Sequence, residues 1–168
     1  MIIFIDFFLM KRLITPRGAV ALRAELEKLK QLRPEIALAI EEARAHGDIS
    51  ENADYQAAKE RSGMIEAKIR DIESRLSMIE EFDPKNVKST AKVVFGLTVE
   101  VENLADGGIQ QLTIVGADES NVEIGLISIE SPLGRALIGK SAGDTVSVNL
   151  PSGSRDYLIN KIFLGDIW

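Results

Sequence analysis

Two runs of apolar residues in the first half of the chain share one turning point, and this limits the fold more than any other feature. From Leu22 to Ala43 the seam positions are Leu22, Leu26, Leu29, Arg33, Ile36, Ile40 and Ala43. From Tyr55 to Ile79 they are Tyr55, Ala58, Ser62, Ile65, Ile69, Ile72, Leu76 and Ile79. Both series alternate spacings of three and four, as heptad seams do. A reversal about Ile49 sets Ala43 opposite Tyr55, Ile40 opposite Ala58, Ile36 opposite Ser62, Leu29 opposite Ile69, Leu26 opposite Ile72, Leu22 opposite Leu76 and Ala19 opposite Ile79. Unrelated amphipathic helices would show the spacing without the common centre. The pattern therefore predicts an antiparallel coiled-coil hairpin. Arg33 takes a seam position opposite Ile65, and Pro34 removes a backbone donor, so a kink or local loosening is expected there.

At about 1.5 Å per residue, the roughly 25 residues from Ala19 to Ala43 make a rod about 40 Å long. Its end carries "HGDISEN", in which Gly47 gives the reversal its backbone freedom and Asp48 or Ser50 caps the second helix. From spacing alone, Asp48 and Glu51 read as a capping box, Asp-x-x-Glu at a helix start. A rod of this length exposes much surface for little core, and reach is the function it suggests.

The polar stretch "EEFDPKNVKSTAK", residues 80–92, ends the helical period. It divides a hairpin over 10–83, with its tip at 46–54, from a second domain over 93–168, with 84–92 as the linker. Beyond it the period becomes two: Leu97, Val99 and Val101 alternate with Thr98, Glu100 and Glu102 as in a half-buried strand. "LADGGIQQ" turns the chain into a second strand around Leu112–Val115, and "NVEIGLISI" reads as a third. "SPLGRALIG" reads as a short helix with Ser131 as cap, Pro132 at its first position and Gly139 at its end. "DTVSVNL", the turn "PSGSRD" and "YLINKIFLGDI" complete a hairpin. The expected class is α+β: a helical hairpin, then a small, mostly antiparallel sheet with one short helix.

The chain has 168 residues, 45% of them hydrophobic, enough for one or two domains with a core. It has no cysteine, which excludes a disulfide frame and the cysteine-based zinc signatures. The net charge is −6, with 13 basic and 16 acidic residues through Asp83 and 7 and 10 beyond it, so each part carries −3. Generic affinity for a nucleic-acid backbone needs a basic surface, so any such contact is local. The opening "MIIFIDFFLM" is too short to span a bilayer, and Lys11 and Arg12 follow it where a signal peptide would have them precede it. Residues 1–9 are read either as an extension outside the fold, with Met10 as the true start, or as a short docking segment.

The stretches "ARAHGDISENADYQAAKERSGMIEAKIRDIESRLS", "VVFGLTVEVENL" and "SPLGRALIGKSAGDTV" resemble the bacterial Gre transcript-cleavage factors, the GreA type in particular. The resemblance runs from about Met10 to the end. It implies an FKBP-like C-terminal domain that binds the rim of the RNA polymerase secondary channel, and a coiled-coil tip that reaches the active site of a backtracked complex. There the polymerase, helped by the tip, hydrolyses the extruded 3′ end of the nascent RNA. Carried onto this chain, the catalytic and metal-holding carboxylates are Asp48 and Glu51, sharing Mg²⁺ with the polymerase. Arg44 and Lys59 match basic positions near the RNA, Asn52 and Tyr55 support the tip, and Ser131, Pro132, Leu133 and Gly134 contact the polymerase. A monomer in the cytoplasm, with no membrane partner, is expected. Mg²⁺ binds readily through one or two protein carboxylates with phosphate and water, so two acids complete a site the polymerase half supplies and make a poor one alone.

Blander readings stand beside these. The capping box can coexist with catalysis. His46, the only histidine, lacks a partner and reads as a solvated loop residue; Arg44 and Lys59 read equally as solvated helix charges. Tyr55 packs under the loop on this view, and Ser131 and Pro132 are explained by helix-start chemistry. Two rival functions remain: a channel-binding inhibitor on the same scaffold, against which the acidic pair speaks, and a coiled-coil chaperone or FKBP-type prolyl isomerase. The isomerase would want an aromatic pocket, and the second half offers Phe95, Tyr157, Phe163 and Trp168. Zinc-bearing coiled-coil regulators of the channel are excluded by the missing cysteines.

Overall fold

The structure, a computed structural model, describes residues 11–45 and 53–167. Its elements are β1 (Arg12–Ile14), α1 (Pro16–Gln31), α2 (Arg33–Ala45), α3 (Ala53–Met78), β2 (Ile79–Glu81), β3 (Thr98–Asn103), β4 (Ile109–Val115), β5 (Leu126–Ser128), α4 (Pro132–Leu137), β6 (Thr145–Leu150) and β7 (Gly153–Phe163). They form two compact units. Val20–Met78 is helical; residues 11–19 join residues 79–167 in a sheet unit.

In the helical unit the expected seam is the packed one. Leu22, Ile36, Ala43, Tyr55, Ile65, Ile69 and Ile72 are buried, and Leu26, Leu29, Leu32 and Ile40 pack on a cluster of Ile36, Ile65 and Ile69. Arg33 is the exception and is exposed. Pro34 cannot donate to the helix, so α1 stops at Gln31 and Leu32 closes a tighter turn, its N–H donating to the Leu29 carbonyl at 3.2 Å. The phase advances there, and Leu32 takes the inward place the heptad gave to Arg33. Arg33 instead reaches over the outside to α3, where its Nε and Nη2 donate to the two Glu66 carboxylate oxygens at 2.7 and 2.8 Å.

The same register sets Ser62 of α3 opposite Ile36, about one turn beyond this break. The small side chains of Ala37 and Ser62 leave a cavity of about 230 Å³ there, also lined by Arg33, Ile36 and Glu66. Lys30 and Glu73, 2.7 Å apart, pair beyond the break.

Ile79, expected to end the helical seam opposite Ala19, opens β2. That strand pairs in parallel with β1, Arg12 beside Ile79 and Ile14 beside Glu81. Three-residue strands are too short to show a period, so neither was legible. The expected linker at 84–92 also begins inside the sheet unit: Pro84–Asn86 is a 3-10 turn capped by Asp83, and Pro84 is buried against Gly96. A Cβ on Gly96, whose φ is 86°, would lie 2.4 Å from the Pro84 ring.

The main sheet has the order β5-β4-β3-β7-β6. The β3–β4, β3–β7 and β6–β7 pairs are antiparallel, as expected for most of it, while β4–β5 is parallel. Parallel neighbours need a crossover, which residues 116–125 supply. Within it Val122–Ile124 is a 3-10 turn, so only Leu126–Ser128 of "NVEIGLISI" forms strand. The inward face, with Val99, Val101, Leu112, Ile114 and Ile159, joins Leu137 of α4 in the core.

Two outcomes test the hairpin. A Cβ on Gly63 meets nothing within 4 Å, so Gly63→Ala is expected to stabilise the chain by about 1 kcal/mol in urea denaturation. The second concerns pH. The Arg33 hydrogen bonds hold the Glu66 carboxyl below its ordinary range, so its contribution is present above the unfolded-state value and lost as pH falls through the folded one. The stability difference between wild type and Glu66→Gln should therefore shrink on acidification; a constant gap would mean that the ion pair contributes nothing.

Candidate functional site

The hairpin's two long helices stop close to the expected tip. α2 ends at Ala45 and α3 begins at Ala53. Asp48, Glu51, Asn52 and His46 lie outside the described residues, so the capping box and the catalytic assignment both rest on sequence. The described residues form the collar on either side. Ala43 and Tyr55, opposite each other in the reversal about Ile49, are 5% and 8% exposed. Two cations lie over the Tyr55 ring, the Arg44 guanidinium carbon 5.6 Å and the Lys59 Nζ 5.7 Å from its centroid. A hydrogen bond from Arg44, helped by the charge of Lys59, holds the Tyr55 phenol below its usual range against the opposing effect of desolvation.

The three expected residues Arg44, Tyr55 and Lys59 are therefore one cluster, and the tyrosine is its centre. A ring face attracts each cation and offsets part of their mutual repulsion. The arrangement keeps two positive charges together at the root of an acidic connection. It can hold an anionic group such as a phosphodiester. Among the described residues, no group of three or more acidic or histidine side chains could hold a metal ion. No helix among them is long and apolar enough to cross a membrane.

The second expected site is the start of α4. Ser131 caps it: its Oγ accepts from Gly134 N at 3.0 Å and donates to the Ser128 carbonyl at 2.7 Å. Gly134 is buried, and a Cβ there would stand 2.1 Å from that same carbonyl oxygen. These two residues fix the turn from β5 into α4. Leu133 is half-buried on the core, and Pro132 is exposed. Of the four, Pro132 presents most of itself to solvent.

Sequence reasoning missed Glu119. Its Oε1 accepts from Thr15 N at 2.9 Å and Gly116 N at 3.1 Å, and its Oε2 accepts from the Thr15 hydroxyl. Thr15 Oγ1 accepts in turn from Gly18 N at 3.1 Å, capping α1. The cap was readable from Thr15-Pro16, since Pro favours the first helical turn. Its carboxylate partner, 104 positions away, was not.

Titration tests the collar. In a Tyr157→Phe background Tyr55 is the sole tyrosine. Arg44→Gln should then raise the pH at which phenolate absorbance appears, Lys59→Gln should raise it less, and an unmoved curve for Arg44→Gln would mean that Arg44 does not reach the ring.

Residues 12–80 match the family described as "Transcription elongation factor, N-terminal", and residues 88–163 the one described as "Transcription elongation factor, GreA/GreB, C-term". Transcription elongation factor GreA of Verminephrobacter eiseniae is 52% identical over 145 residues, 86% of this chain and 92% of that protein. GreA of Neisseria meningitidis is 47% identical over 150 residues, 89% and 95% of the two chains. Among solved structures, GreA factor homolog 1 of Thermus thermophilus is 27% identical over 90% of this chain and 98% of that one, at a TM-score of 0.42. On the sequence matches, which take in both units, the chain belongs to the GreA/GreB family of transcription elongation factors and is of the GreA type.

Proposed function

We propose that this factor binds RNA polymerase at the secondary channel and stimulates the polymerase's own hydrolysis of backtracked RNA, returning arrested complexes to elongation. The observation that carries the reading is an acidic pair, Asp48 and Glu51, in the short connection between two well-packed helices of a chain belonging to this family. Asp48 and Glu51 act at the polymerase active site. Arg44 and Lys59, held about Tyr55, contact RNA phosphates beside them, and Asn52 steadies the connection. Pro132 and Leu133 meet the channel rim, while Ser131 and Gly134 set the turn that presents them. The factor works in the cytoplasm as a monomer.

The donor chemistry fits Mg²⁺, because carboxylates are the hard oxygen ligands it takes. Two carboxylates fill only part of its roughly octahedral shell, so the ion would be shared with polymerase groups, RNA phosphate and water. Bound there, it would neutralise developing charge and lower the pKa of water. The factor alone is then expected to lack nuclease activity. An acidic rod also enters a basic channel without being captured by stray nucleic acid.

RNA cleavage in a stalled, backtracked complex with Mg²⁺ tests this. Asp48→Asn and Glu51→Gln keep helix-capping ability and remove charge. Each should lose roughly 100-fold or more of the stimulation, since metal stabilisation of the transition state is worth several kcal/mol, while polymerase binding persists. Equal cleavage by the variants would leave the pair as caps only. Channel occupancy without stimulation by the wild type would make the protein an inhibitor.

A further inference from the structure

The inward face of the main sheet changes character at one end. On β3 the inward row runs Val99, Val101, Asn103; on β4 it runs Leu112, then Gln110; on β7 it runs Ile159, Tyr157, Arg155. The pairings Val101–Gln110, Val101–Ile159 and Asn103–Tyr157 place these residues side by side on one face. Three adjacent strands thus end an apolar row in a polar residue at the same edge.

These side chains line a pocket of about 270 Å³, with Asp106 and Ile109 on its rim. Tyr157 is 5% exposed as a whole residue, and its hydroxyl, which has no hydrogen-bond partner among the described residues, is left to the solvent of the pocket. The side chains of Arg155 and Gln110 are exposed and have neither a hydrogen bond nor an ion pair among the described residues. Asp106, in contrast, is fixed: its Oδ2 accepts from Asn103 Nδ2 at 3.0 Å and its Oδ1 from Gly108 N at 2.8 Å. The pocket therefore offers a planar cation, a phenol and an amide with donors unused, beside a pre-positioned carboxylate with lone pairs to spare.

Its volume is below the range of about 300–1,000 Å³ usual for drug-sized ligands, so it takes a group the size of one residue. Arg matches a carboxylate bidentately, and a tyrosine hydroxyl adds a third donor. The rim Asp106 disfavours a dianion and favours a ligand that also carries an N–H. We propose that this pocket recognises an acidic amino-acid residue, Arg155 and Tyr157 holding its carboxylate and Asp106 accepting its N–H, presented by a partner's peptide segment or as the free amino acid. The site shares no residue with the hairpin tip or with the start of α4, so the proposed function stands or falls without it.

The test is an amide NMR titration of the full-length, isotope-labelled chain with acetyl-Gly-Glu-Gly-amide, its Gln counterpart and free L-glutamate. Saturable shifts at residues 103–110 and 155–157 are expected with the Glu peptide and not with the Gln peptide. Arg155→Gln, on an exposed position, should weaken binding by ~10-fold or more, as loss of a charged hydrogen bond does, and Tyr157→Phe by less. Saturation by the peptide alone assigns the ligand to a protein segment; saturation by free glutamate as well assigns it to the amino acid. Equal shifts with the Gln peptide, no saturable shift with any probe, or unchanged binding in Arg155→Gln overturns the proposal.

Discussion

One carboxylate organises the place where the chain enters its first helix. Glu119 accepts from the backbone and hydroxyl of Thr15 and from the backbone of Gly116, so it joins the end of β1 to the exit of β4. A hydrogen bond to a charged group is worth about 1.5–3 kcal/mol net, and a carboxylate taking three of them is expensive to replace. The surroundings are shaped to admit it. A Cβ on Gly116 would stand 2.2 Å from the Leu13 carbonyl oxygen, and one on Gly18 would stand 2.2 Å from Glu119 itself. Arg12 reinforces the join with Asp118 and Glu130, at 3.6 and 3.8 Å. With β1 held in this way, its parallel pairing with β2 brings together the points at which the chain leaves for the hairpin and returns from it.

The hairpin itself depends on a narrow seam. Two helices offer each other one stripe of side chains, so each buried isoleucine carries a large share of the stability, and a break in phase at Pro34 is absorbed only because Leu32 is available to replace Arg33. Moving Arg33 outward costs little, since Glu66 meets it in a bidentate pair at the surface. Toward its end the seam closes on Ala43 and Tyr55, and the cations of Arg44 and Lys59 near the ring give that closure a charged collar.

The sheet unit divides its inward surface between two purposes. Where α4 packs, every inward residue is apolar, and the turn that brings α4 down is tight enough to require Gly134. Elsewhere on the sheet the same alternation presents Asn103, Gln110 and Arg155, of which the last two are exposed. Side-chain period is a property of the backbone alone, so it continues whether or not there is a core to fill.

Much of this was legible in the residues. Two heptad series with a shared centre required an antiparallel hairpin, because no other arrangement satisfies both seams; the period-two runs required strands, and Ser131-Pro132 required a helix start. The acidic pair, its flanking Arg44 and Lys59, and the intervening Tyr55 could be singled out from one short stretch. Tertiary structure alone decided the β1–β2 pairing, the parallel β4–β5 neighbours, the inward place of Leu32 over Arg33, the packing of Pro84 on Gly96 and the partnership of Thr15 with Glu119. Spacing encodes which face of its own helix or strand a residue occupies. It carries no information about which distant segment that face will meet, and all of these outcomes but the phase break at Pro34 depended on such a meeting.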